Sequence, residues 1–146
     1  MKIAVYAGSF NPFHKGHMNI LLKAEQIFDK VIIARGINPE KSNVVVPLPE
    51  ALDNREVMQF SGLLTDFVKN IKENVYLDAE SVTVVRGLRN TTDLQFELNQ
   101  YRYFQDLMPE IQVVSIFCDR EFEHISSSGI RALSTFGKEH VEKYLI

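Results

Sequence analysis

Cysteine is nearly absent: the only one in 146 residues is Cys118. A single thiol makes no intrachain disulfide, which fits a reducing, cytoplasmic setting, and at a strand end it reads as a small buried apolar side chain. No apolar run is long enough to span a bilayer. The N-terminus, one lysine followed by a strand-like stretch, is no signal peptide, so neither a membrane partner nor a secreted role is expected. Positive charge is not in excess, since 16 Lys and Arg stand against 19 Asp and Glu for a net charge of −3. That argues against a general nucleic-acid binder while leaving room for a local basic pocket. Repeats, low-complexity tracts and linkers are missing. So are GxxxxGK(S/T) and GxGxxG, which removes the P-loop and the dinucleotide fingerprint. No Ser/His/Asp order and no reactive-cysteine pattern stands out, so a protein nucleophile is not expected.

What is present is an ordinary globular composition, 45% apolar and 24% charged, in a chain the size of one domain, 1–146. A chain of this length buries roughly 70% of its unfolded surface and folds without a metal or disulfide. "IAVYAG" (Ile3–Gly8) reads as a buried strand. "MNILLKAEQIF" (Met18–Phe28) reads as a helix with Ile20, Leu21, Ala24, Ile27 and Phe28 on one face. The unbroken run Val31–Ala34 suits a parallel strand covered on both sides. "SNVVVPLPEALDN" reads as loop or edge strand. "FSGLLTDFVKNI" reads as a helix from the recurrence of Phe60, Leu63, Leu64, Phe67, Val68 and Ile71. "SVTVVRG" (Ser81–Gly87) is a strand, Thr92–Met108 a helix capped by Thr92 or Asp93, and Ile111–Phe117 a strand. Ser126–Gly137 is a helix opening on serine and stopping at glycine. This alternation predicts an α/β fold: an open, mainly parallel sheet with helices on both faces.

Ligands of such sheets bind beyond the C-terminal strand ends, at the switch in strand order. Three chemical segments follow strands there. In "GSFNPFHKGH", Gly8 permits a tight turn, Ser9 offers a hydroxyl, and Gly16 lets a helix begin close to an anion. His17 then sits in the first helical turn, able to donate to a phosphate oxygen. A metal at His14 and His17 lacks a third ligand, so no metal site is expected, and His14 reads equally well as a packing residue. "RGLR" puts Arg86 and Arg89 in one turn, either as a phosphate clamp or as ion pairs to Asp93 and Glu97. "SSS" at a helix start offers hydroxyls and free N–H groups, though one serine suffices for a cap. Lys41, after the second strand, adds a cation at the same edge. Together these predict a phosphate-rich ligand and catalysis by charge stabilisation.

"GSFNPFHKGH" with "ISSSGIR" resembles the (T/H)xGH and ISS(S/T) motifs of nucleotidylyltransferases. "VVRGLRNTTDLQFELNQ", "LMPEIQVVSIF", "DKVIIARGINPEKS" and "FSGLLTDF" resemble the phosphopantetheine adenylyltransferases over nearly the whole chain. The resemblance implies a single-domain, Rossmann-like nucleotidylyltransferase fold. It implies that the 4′-phosphate of 4′-phosphopantetheine attacks the α-phosphorus of ATP in line, without a covalent intermediate. Dephospho-coenzyme A forms and pyrophosphate leaves with Mg2+, which arrives with ATP and needs no dedicated protein ligands. His17, Lys41 and Arg89 would carry catalysis, His17 by stabilising the transition state. Ser9, Lys41 and Arg86 would hold the 4′-phosphate and Leu64 would line the pantetheine arm. ATP would lie against Ser9, Phe10, His17, Gly87, Leu88, Arg89, Glu97, Phe122, Glu123, His124, Ile125, Ser126, Ser127 and Ser128, with the serines on its β- and γ-phosphates. A cytoplasmic homo-oligomer, hexameric in the family, is also implied. The chain departs from the family at His14, where threonine is usual, at Asn11 for aspartate and at Phe122 for tryptophan, and its segment between Lys41 and Phe60 is shorter. Two other readings stand: a nicotinamide or nicotinate mononucleotide adenylyltransferase, favoured by "HKGH", and a non-catalytic nucleotide-binding module.

Overall fold

Residues 1–38, 40 and 44–146 are described in the computed structural model. Five strands, β1 (Lys2–Gly8), β2 (Lys30–Gly36), β3 (Glu56–Phe60), β4 (Ser81–Leu88) and β5 (Gln112–Phe117), form one sheet in the order β3-β2-β1-β4-β5. Every pairing is parallel. The order reverses between β1 and β4, which opens a crevice at their C-terminal ends. Register brings those ends level: Gly8 pairs with Arg35, Gly36 with Phe60, and Leu88 with Phe117.

Alternation along the buried strands divides the core in two. Ile3, Val5, Ala7, Ile32, Ala34, Val82 and Val84 face α2 (Leu64–Asn70) and the end of α3 (Thr91–Leu107). Ala4, Tyr6, Val31, Ile33 and Val85 face the other way, onto Ile20, Leu21 and Ala24 of α1 (Lys15–Ile27). A short helix, α4 (Ser127–Ser134), packs Ile130 with Ile125 and Val141 in a third cluster.

Four expectations need correction. The first helix begins at Lys15, three residues before the periodic apolar run, because a side-chain cap at His14 starts it there. Phe60 ends β3 and is not helical; Gly62, at φ +93°, breaks the chain before α2 begins at Leu64. α2 then widens into one looser turn over Ile71–Val75, with Tyr76 N donating to Ile71 O at 2.8 Å. The cap of α3 is Asn90, whose side chain accepts from Asp93 N at 2.9 Å, and neither Thr92 nor Asp93 serves. The last helix stops at Ser134, ahead of Gly137. Val44–Pro49 forms neither strand nor helix, and the strands at the two edges are β3 and β5.

Candidate active site

The β1–α1 turn is built around Phe10, which holds a left-handed φ of 49°. A non-glycine residue stays there only when its surroundings hold it. They do: the Phe10 ring is buried and meets Tyr6 edge-on at 5.0 Å and His17 edge-on at 4.9 Å. From β2, Arg35 donates through Nε to Ser9 O at 3.0 Å and through Nη2 to Phe10 O at 3.1 Å. Asn11 reaches across: its Nδ2 donates to Val44 O at 3.0 Å and its Oδ1 accepts from Val46 N at 2.8 Å. The amide pairs with that loop as a neighbouring strand would, a pairing that an ionised aspartate, with no donor, makes only by half.

Two histidines start α1. His14 Nδ1 accepts from Gly16 N at 3.0 Å and His17 N at 3.4 Å, while His17 Nδ1 accepts from His14 N at 3.1 Å. The pair is a capping box in which imidazoles replace the usual hydroxyl and carboxylate. The rings stack at 3.7 Å. A Cβ on Gly16 would lie 2.9 Å from His14 Cε1, so the cap needs glycine there. With Nδ1 accepting, the proton of a neutral His17 belongs on Nε2, on a ring that lines the main cavity. Burial first, then His14, Arg89 and Arg86, keep the His17 pKa well below 6.5. His14 is lowered to about 4, by burial and then by Arg89.

These shifts make a testable statement about stability. Between pH 6.5 and about 4 the unfolded chain binds a proton at position 14 that the folded chain does not, so stability falls as pH drops through that window and levels off below it. His14→Thr keeps a capping oxygen and removes this titration. Denaturant unfolding at neutral pH and at about pH 4.5 is expected to show the variant losing roughly 2–3 kcal/mol less than the parent on acidification. Equal acid losses in both proteins would mean that His14 is not held neutral.

The β4–α3 segment supplies the second wall. Arg86 grips Glu97 through Nε and Nη2 at 2.9–3.0 Å, and its Nη1 donates to Ala7 O at 2.9 Å. Arg89 grips Asp93 at 2.9–3.0 Å and reaches Ile125 O at 3.0 Å. The ion-pair reading of "RGLR" therefore holds, and both arginines also line the cavity. Their bidentate carboxylates fix the forks in place and cancel their charge. α4 closes the site: Ser126 caps it by accepting from Gly129 N at 3.0 Å, and Ser127 Oγ donates to Pro12 O at 2.8 Å, fastening the helix start to the β1–α1 turn.

The three segments meet around one cavity of about 290 Å³, with Ser9, Phe10, His17, Arg86, Gly87, Leu88, Arg89, Glu97, Phe122, Ile125, Ser126 and Ser127 on its walls. Four expected residues are not on those walls: Leu64, which packs at the margin of the α2-side core, and Glu123, His124 and Ser128. Ser128 instead lies with its Oγ 3.4 Å from that of Ser126. Lys41 lies outside the described residues. The walls also hold Tyr6, Ile20, Phe96 and Cys118, to which the sequence gives no part in the site. Tyr6 is buried, and that burial raises its hydroxyl pKa. Among the described residues no group of three or more His, Cys, Asp or Glu gathers as a metal would require, and no helix is long and apolar enough to cross a membrane.

A strand-order switch with a histidine in the first turn of one helix and serines opening another defines the class: a nucleotidylyltransferase fold. A family model described as cytidylyltransferase-like matches residues 5–133. Among solved structures, the putative nicotinate-nucleotide adenylyltransferase of Vibrio parahaemolyticus superposes with a TM-score of 0.69 at 21% identity, over 99% of this chain and 86% of that one. A bifunctional NMN adenylyltransferase/ADP ribose pyrophosphatase from Francisella tularensis superposes at 0.59 and 21% identity, over 93% of this chain and 42% of that one. These share the fold. Sequence narrows the match. Phosphopantetheine adenylyltransferase of Clostridium botulinum is 34% identical over 94% of this chain and 84% of its own length. The Clostridium tetani protein of the same name is 35% identical over 94% and 86%. The chain belongs to the phosphopantetheine adenylyltransferase family.

Proposed function

We propose that this protein moves the adenylyl group of Mg-ATP onto 4′-phosphopantetheine, giving dephospho-coenzyme A and pyrophosphate in coenzyme A biosynthesis. The observation that carries the reading is His17, a neutral imidazole with its Nε2–H as the remaining donor, on the wall of a cavity shared with Arg86, Arg89 and the start of α4. An oxygen of the acceptor phosphate attacks the α-phosphorus as the bond to the pyrophosphate oxygen breaks. No protein atom bonds to phosphorus. His17 Nε2–H donates to an α-phosphate oxygen, where charge gathers in the transition state. Arg86, Ser9 and Lys41 orient the acceptor phosphate, with Leu64 along the pantetheine arm. Arg89 and the first N–H groups of α4 hold the triphosphate. Mg2+ enters as part of the nucleotide substrate.

His14 caps α1, a task threonine performs as well, so the histidine in "HKGH" says little about the acceptor. The single cysteine fits action in the cytoplasm. We also assign a homo-oligomeric contact to α3, which has no buried residue along 17 positions and leaves Leu94, Leu98, Tyr103 and Leu107 exposed.

The test is pyrophosphate release from Mg-ATP with 4′-phosphopantetheine, nicotinamide mononucleotide and nicotinate mononucleotide in parallel. Release with 4′-phosphopantetheine alone is expected. Release with a pyridine mononucleotide instead would overturn the acceptor assignment, and silence with all three would leave a nucleotide-binding module.

A further inference from the structure

Arg35 stands inside an apolar strand, and its place there calls for a reason. The residue is only 2% exposed. Two of its nitrogens are spent on Ser9 O and Phe10 O. Among the described residues no carboxylate pairs with it and Nη1 makes no hydrogen bond. Burial alone acts on its titration, downward. An arginine does not shed its proton inside a protein, so this is a buried positive charge with carbonyl dipoles for company. Such a charge is costly to keep unless an anion arrives to meet it.

A second cavity, of about 80 Å³, lies against it, with Ser9, Asn11, Asn38 and Arg131 among its walls. Ser9 is common to both cavities. Arg131, on α4, donates through Nη1 to Asn11 O at 2.6 Å and pairs with no carboxylate among the described residues. The contrast with the main cavity is one of charge. There Arg86 and Arg89 are each matched by a carboxylate; here two guanidiniums line one cavity with no carboxylate partner among the described residues.

Which phosphate the charge serves follows from the faces of the sheet. Arg35 shares its face with Val31 and Ile33, on the α1 side, and α4 contributes both Ser127 of the main cavity and Arg131 of the second. Leu64, at the acceptor end of the proposed reaction, packs with the core on the opposite face. We propose that Arg35, with Arg131, forms an anion subsite for the outermost phosphate of the donor triphosphate, and so for the departing pyrophosphate. The assignment rests on the adenylyl-transfer reading above. It adds a group that meets the leaving-group charge from beneath the turn whose carbonyls it also holds.

Calorimetric titration of the whole protein with ATP, AMP and pyrophosphate, without acceptor, tests it. Arg35→Met is expected to weaken ATP and pyrophosphate by about 10- to 100-fold, the range for one charge-assisted contact, and to leave AMP, which lacks the outer phosphates, unchanged. ATP and AMP weakening together would mean that Arg35 only props the turn, and unchanged ATP and pyrophosphate would remove the subsite. In a separate steady-state assay of the same variant, a rise in acceptor KM with ATP affinity unmoved would place the charge at the wrong substrate. If Arg35→Met does not fold, Arg35→Lys keeps the charge and loses the fork; its ratio of ATP to AMP affinity is expected to fall, and an unchanged ratio overturns the proposal. Because no acceptor is present in the titrations, an inactive acceptor panel would sink the acceptor assignment and leave this result standing.

Discussion

Replacing His17 by alanine is expected to lower kcat by about 100- to 1,000-fold, the loss seen when one preorganised donor is removed from a site of developing charge. ATP affinity should change little, because the contact strengthens only as charge builds on the α-phosphate oxygens. The structure explains why a neutral ring suits the task. Nδ1 is engaged by His14 N; burial, then His14 and the two arginines, oppose a second proton; and Nε2–H is the donor left on the neutral ring. His17 itself is therefore expected to add no loss of rate as pH falls through 6.5, where an ordinary histidine would titrate, and the decline that remains belongs to the acceptor phosphate taking up its second proton at about pH 6. The variant also forfeits the bond to His14 N, which costs stability about 1 kcal/mol; unfolding measured alongside kinetics separates that loss from the kinetic one. Equal losses in kcat and ATP affinity would remove the assignment.

Arg86→Ala should act on the other substrate. We expect the KM for 4′-phosphopantetheine to rise by about 10- to 100-fold. A stability loss accompanies it, approaching the 3–5 kcal/mol typical of a broken buried ion pair, because Glu97 is left with 12% side-chain exposure and no partner. The second effect is separable from the first. Adding Glu97→Gln removes the stranded charge, so the double variant should regain much of the stability while its acceptor KM stays high. An unchanged acceptor KM with ATP binding lost would mean that Arg86 and Arg89 have exchanged roles.

Much of this architecture is legible in the sequence, and the exceptions have physical causes. β1, β2 and β4 are covered on both faces, so they read as unbroken apolar runs. β3 is a five-residue edge strand, "EVMQF", with partly exposed residues throughout, and such a strand carries little hydrophobic signal. Its last residue, Phe60, falls at helical spacing from Leu63 and Leu64, and only the glycine between them betrays the break. Capping by imidazole at His14 has no place in the usual list of cap residues. Most of the main cavity is foreseen because its residues sit in motifs at strand ends. Arg35 is not, since a single arginine at the end of "VIIARG" looks like the solvated border of a strand. Its burial depends on a turn that folds over it from another part of the chain.

The double-histidine cap has a dynamic consequence. The hydrogen bonds that start α1 are also the ones that set the tautomer of His17. Fraying of that first turn, the commonest local opening in a helix, would free Nδ1 and let the proton wander between the ring nitrogens. Given the role proposed for His17, catalytic competence and local folding become one equilibrium at this spot. On that role, the fraction of molecules ready to react is expected to follow the fraction in which the His14, Gly16 and His17 amides are protected from exchange with water.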